Sequence, residues 1–280
     1  MEQNSGQHIL VYTDFTEAGD IAVEHGASIA KIFNKELSIL HVIDDNTKSM
    51  FGSKNTGEAV FSALQETCAD IANKYDLKVN IHSSDETRCN VINELSQNID
   101  AMMVIMGIHG RNEIQYLTPK YALKIIRNSK VPFLMVQKKG SKDNQYKNIV
   151  ISVNHLKETK EKISWASYFG KLNNSIVHIL VSKGNDIQTK NNVLFAKKIF
   201  KEFNTEFKTY NTEKSWVKLD KYALTFARQF ESVFIIIMTT KQYDIPDHIF
   251  GPAEQRIISN KSGIPVMCLN SRTDLYVPCV

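Results

Sequence analysis

Three short stretches carry the residue types that could do chemistry, and each closes an apolar run. Thr13-Asp14 follows ILVY, Asp44-Asp45 follows HVI, and Gly107-Ile108-His109-Gly110-Arg111 follows MMVIM. An acid just past a buried run can cap a helix or accept hydrogen bonds from sugar hydroxyls. Glycines let backbone N–H groups approach an anion, and the helix that follows adds unsatisfied N–H groups and the positive end of its dipole. Lys120, nine residues after Arg111, could neutralise a phosphate as a point charge. This is binding chemistry. No H-E-x-x-H, G-x-S-x-G, Walker A or G-x-G-x-x-G pattern occurs, and no catalytic residue is expected.

The elements that must position these residues alternate strand and helix. After the first apolar run, Ala18, Ile21, Ala22, His25, Gly26, Ile29 and Phe33 fall at helical spacing, with Glu17 and Asp20 in the first turn. Helices are expected near Glu58–Lys74 and Glu86–Gln97, and a strand over Lys78–Ser84. The runs VIMGI and FIIIM are apolar without alternation, as in parallel strands covered on both faces. FGSKNTG (Phe51–Gly57) reads as a glycine-containing loop able to cover a site.

The order then repeats. Ile9–Phe15 returns as Ile149–His155, Ser38–Ile43 as Ser175–Leu180, Ala101–Ile108 as Ser232–Thr239, and Val131–Val136 as Ile264–Leu269. These pairs lie 140, 137, 131 and 133 residues apart, so the chain is a duplication. Helices near Asn191–Phe203 and Ser215–Phe230 and a strand over Glu206–Asn211 complete the second copy. The fold class expected is α/β: two tandem doubly wound, Rossmann-like sandwiches, each with a five-stranded parallel sheet. Domains are placed at 1–140 and 146–280, with a polar linker at 138–148. Ligands of such sheets bind beyond the carboxyl ends of the strands, where strand order reverses.

The first strand ending T-D-F, the second ending H-V-I, the fourth ending M-G-x-H-G and the S-K-V-P turn before the fifth together resemble the universal stress proteins, over almost the whole chain and twice. The resemblance implies an intramolecular pseudo-dimer through the fifth strands, and a role in stress adaptation by binding or signalling. It also implies an adenine-nucleotide site, for ATP or AMP, at Asp14, Val42, Gly107, Gly110 and Lys120. Nucleotide-binding members carry G-2x-G-9x-G-[S/T]. Here the last pair falls on Lys120-Tyr121 or Pro119-Lys120, and proline lacks the N–H a phosphate cradle uses. Thr118 and Pro119 instead suit a helix cap and first turn. In the second copy the acid position is Asn154, the glycine positions are Met238 and Lys241, Gly251 is followed by Pro252, and the base-facing position is Ile179. Two readings stand: a binding protein with degenerate loops, or a nucleotide sensor using the first copy, with slow ATP hydrolysis.

Composition is that of a globular protein, 42% hydrophobic and 23% charged over 280 residues. No apolar run reaches the roughly 20 residues of a membrane helix, and MEQNSGQ is no secretory signal. Four cysteines without metal spacing fit a reducing compartment, so the chain is expected to be cytoplasmic, without a membrane or nucleic-acid partner. Net charge is −3 over residues 1–145 and +7 over 146–280. The lysines of KNNVLFAKKIFKEF read as a solvated helix face. His41 and His178 occupy matching places in the repeat, His25 lies on a buried stripe, and Trp165 and Trp216 suit core or interface anchors. Cys89 lies near a helix start, where a thiol can be activated, and Cys68 within a helix. Partners left open are a nucleotide, an unidentified protein and a second copy of the chain.

Overall fold

A computed structural model describes residues 8–52, 54–86, 88–108, 118–137, 146–184, 186–239 and 253–271. The chain forms two compact units, 1–138 and 139–280. The first runs β1 (His8–Tyr12), α1 (Glu17–Phe33), β2 (Glu36–Val42), α2 (Asp45–Phe51), α3 (Thr56–Tyr75), β3 (Val79–Ser84), α4 (Arg88–Asn98), β4 (Ala101–Gly107), α5 (Pro119–Arg127) and β5 (Phe133–Val136). The second runs β6 (Asn148–Val153), α6 (Thr159–Asn173), β7 (Ile176–Val181), α7 (Ile187–Glu202), β8 (Phe207–Asn211), α8 (Trp216–Ala227), β9 (Val233–Thr239), α9 (Ala253–Ile258) and β10 (Val266–Asn270).

Each unit holds a five-stranded sheet, ordered β3-β2-β1-β4-β5 in the first and β8-β7-β6-β9-β10 in the second. The pairs are parallel. Order reverses beside β1 and beside β6, so the ends of those strands face the crevices where such sheets take ligands. Ile9, Leu10 and Val11 of β1 and Ile149, Val150 and Ile151 of β6 are wholly buried, as strands covered on both faces must be. On α1 the buried stripe is Ala18, Ala22, His25, Gly26, Ile29 and Phe33, with Ile21 half-exposed at its margin. Each fully buried Ile or Leu contributes about 1.5–3 kcal/mol.

Several boundaries and one alignment differ from expectation. β1 stops at Tyr12, because Phe15 turns the chain with φ +56, and Thr16 caps α1 by accepting from the Gly19 N–H. α2 occupies residues read as a strand end and loop: Asp44 and Thr47 form a capping box, satisfying each other's backbone N–H groups. Phe51 ends α2 and Thr56 begins α3, so the expected Phe51–Gly57 loop is shorter.

The repeat is offset by 140 residues from β1 through β2, not 137. Tyr12 pairs with Leu40 in the first unit and Ser152 with Leu180 in the second. α1 and α6 end on left-handed Asn34 and Asn174. The similar strings SILHVI and SIVHIL therefore align falsely. His41 corresponds to Val181, not His178, and Val42 to Ser182, not Ile179.

Candidate functional site

In the first unit the end of β1 and the end of β2 meet over α2. His41 Nδ1 lies 2.8 Å from the Thr13 carbonyl, which can only accept, so Nδ1 carries the hydrogen. Its Nε2 sits 2.9 Å from Thr47 Oγ1. The imidazole is buried and ties β2, the Thr13 turn and α2 into one body. The Phe15 ring covers it at 4.4 Å between centroids, and Phe51 meets Phe15 edge-on at 5.1 Å. Phe15 is the bulky exception among left-handed residues that are otherwise mostly Asn and Asp. A large side chain held there signals a constraint met by its surroundings, here the aromatic cluster.

His41 also borders a small concavity that opens to solvent. Tyr12, Asp14 and His41 form one wall, and Asp44, Asn46, Thr47 and Met50 the other. Asp14 is almost wholly buried, and its Oδ1 accepts from the Thr16 N–H at 3.2 Å and from the Thr16 hydroxyl. It thus orients the cap residue and does not cap the helix itself. Burial raises the Asp20 carboxyl above its usual range, with Asp14 and Glu17 adding to the shift. A ligand here meets two carboxylates, Asp14 and Asp44, at the wall. That suits hydroxyl or amine donors and opposes a phosphate.

The expected site residues separate. Val42 ends β2 next to His41 but does not line the pocket, and its carbonyl accepts from the Thr47 hydroxyl at 3.4 Å. Gly107 ends β4 against the first turn of α1: a Cβ there would stand 2.1 Å from the Ala18 carbonyl oxygen. This glycine is required by packing between helix and strand. Lys120 is exposed on the first turn of α5 and does not line the pocket. Gly110 and His109 lie outside the described residues. At the start of α5, Thr118 accepts from the Tyr121 N–H at 3.2 Å, the Ala122 N–H goes to the Thr118 carbonyl, and Pro119 has none. Ala122 makes the first regular helix bond; of the N–H groups that would grip a phosphate, that of Tyr121 is engaged and that of residue 119 is missing.

The second unit answers differently. Asn154, in the Asp14 position, accepts from the Leu156 N–H at 3.0 Å and the Thr159 hydroxyl at 2.7 Å. Lys162 on α6 is 2% exposed. It donates to Ser152 Oγ at 2.5 Å, Ser152 donates to Asp220 on α8, and the lysine lies 3.8 Å from that carboxylate. Burial pushes the Lys162 ammonium down, and Asp220 pulls it partly back. At an offset of 140 these are the positions of Tyr12 and Ala22, so a large and a small residue have exchanged for a small and a long one. Sequence reasoning missed the trio, although Lys162 falls on the stripe of Ile163, Ala166, Phe169 and Gly170. His178 packs at 4.1 Å on Phe230 and lies 3.0 Å from Asn148 Oδ1. Burial, with Lys208 adding, lowers its pKa to about 4. Burial raises the Cys68 thiol to about 11, the opposite of an activated nucleophile. Trp216 is nearly half exposed, so it is no core anchor.

Among the described residues no helix is long and apolar enough to cross a membrane. The chain resembles a solved universal stress protein of Archaeoglobus fulgidus at TM-score 0.72 and 15% identity, covering 95% of this chain and 98% of that one. It resembles a functionally unknown protein of Pseudomonas aeruginosa at TM-score 0.63 and 13% identity, covering 95% and 93%. These likenesses establish the tandem two-domain α/β fold. A universal stress protein of Methanocaldococcus jannaschii is 23% identical over 144 residues, 49% of this chain and 85% of the relative. Residues 6–137, within the first unit, match the universal stress protein family.

Proposed function

We propose that this chain acts in stress adaptation as a non-enzymatic binding or signalling protein, with nucleotide loops that no longer hold phosphate. The observation that carries the reading is the start of α5, where Thr118 engages the Tyr121 N–H and Pro119 has none, two of the groups a phosphate would use. The acidic wall of the first-unit pocket supports it. In the second unit Lys162 donates to Ser152 at the corresponding strand end.

A second reading, an adenine-nucleotide sensor, draws on Asp14 in the first-unit pocket, Val42 at the end of β2 and Lys120 at the start of α5. Thermal unfolding with adenosine, AMP and ATP, each with and without Mg²⁺, separates the two. A ligand at a hundred times its dissociation constant adds about 2.7 kcal/mol to the native state. The binding-protein reading predicts no melting shift with ATP or AMP. A rise that Asp14→Ala abolishes establishes the sensor and overturns the first reading.

A further inference from the structure

The helix α7 is patterned against expectation. Its inward stripe is Thr189, Asn192, Ala196 and Phe200, so the first two turns bury a threonine and an asparagine. On the opposite side stand Ile187, 76% exposed, and Leu194, 64% exposed, one heptad apart. Lys190, Lys197, Lys198 and Lys201 share the helix with them, against a single acid, Glu202. Packing within the unit explains the buried stripe and leaves the two aliphatic residues without a role. Asn192 Nδ2 ties α7 to the carbonyls of Asn154 and Leu156, at 2.7 and 3.0 Å. His155 between them meets the ring of Trp216 at 5.4 Å. Beside Trp216, Val217 is 69% exposed. Exposed aliphatic and aromatic groups thus stand on α7 and at the start of α8, helices that also carry lysines.

We propose that this face of α7, with Trp216 and Val217, is a docking surface for the headgroup layer of anionic phospholipid membranes. Lysines around an apolar apex match an anionic interface: the ammonium groups meet the headgroups while Ile187 and Leu194 enter the acyl boundary. A nucleic-acid backbone offers the lysines a partner but gives the aliphatic residues none. A second copy docking face to face about a two-fold axis sets lysine against lysine. The expectation of no membrane partner rested on the lack of a spanning run, and lying on a bilayer needs none.

The test is co-sedimentation of the full chain with vesicles of phosphatidylcholine alone and of phosphatidylcholine with phosphatidylserine, at low and high salt. The protein pellets with the anionic vesicles only, and salt releases it. Trp216 fluorescence shifts to the blue on binding, and the shift disappears in Trp216→Phe. Lys190→Gln and Lys201→Gln each weaken binding about fivefold. Ile187→Ser with Leu194→Ser abolishes it while melting of the free protein is unchanged, since both side chains are exposed. Absence of pelleting overturns the proposal. So does binding that survives loss of Ile187 and Leu194, the mark of a polyanion such as RNA. A dimer in solution that the same pair dissolves also overturns it, by assigning the face to a second copy.

Discussion

The two units share an offset of 140 residues from β1 through β2, yet the ends of their first strands carry different solutions. In the first, Tyr12 lines a concavity with Asp14, His41 and Asp44, and Ala22 is buried on α1. In the second, Ser152 and Lys162 occupy those positions, and the lysine reaches through Ser152 to Asp220. The first pairs a glycine at 107 with a helix that begins at Glu17. At the place of Gly107 the second carries Met238, and α6 begins two residues later, at Thr159, without a side-chain cap. A duplicated scaffold has thus kept its sheet and altered the one region where the sheet itself demands nothing. Core strands are constrained by burial on both faces, while strand ends are free to change.

Three substitutions probe this contrast. Gly107→Ala sets a Cβ against the Ala18 carbonyl and should cost the first unit about 3 kcal/mol, read by far-UV circular dichroism in urea. Met238→Ala, at a half-exposed position, should cost less than half as much; equal losses would deny that the packing differs. Asp220→Asn leaves Lys162 buried without its counter-charge and should cost the second unit about 2 kcal/mol. Both tryptophans, Trp165 and Trp216, lie in that unit, so their fluorescence reports it directly.

Lys162→Met sharpens the same point through pH. The folded pKa is depressed, so between that value and 10.5 the unfolded chain binds a proton that the folded chain does not. Wild-type stability then rises with pH across that window, by at most about 1.4 kcal/mol per pH unit, relative to Lys162→Met. Parallel pH profiles would contradict a buried, desolvated lysine. The smallest effect is at the caps: Thr16→Ala should cost about 1 kcal/mol, and Glu158→Ala, at a position with no capping bond, almost nothing.

Much of this organisation was legible in the sequence. Uninterrupted apolar runs placed the strands, the helical stripe placed α1, and Thr118-Pro119 announced the start of α5. What was not legible came from register and packing. SILHVI and SIVHIL look alike, but only the strand ladder shows that they are displaced by three residues. Asp14 sits where a cap would sit, yet the turn at Phe15 gives that task to Thr16. Gly107 reads as a loop glycine until Ala18 is seen against it. α2 was hidden because its box, Asp44 with Thr47, lacks the acidic or amide third residue that usually marks one. Lys162 was passed over because a lysine on a buried stripe is uncommon and its partners lie on two other elements.

Ser152 and Lys162 stand at the repeat positions of Tyr12 and Ala22, and the claim to be tested is that one pair can replace the other. A double-mutant cycle in the second unit tests it most directly: Ser152→Tyr, Lys162→Ala and the pair together, followed by tryptophan fluorescence in urea. Ser152→Tyr alone overfills the space, and Lys162→Ala alone leaves a cavity beside Ser152 and Asp220. The account predicts that the pair is more stable than the sum of the singles by at least about 1 kcal/mol, because the first unit's combination is restored. Losses that simply add would show that the two positions do not share one space.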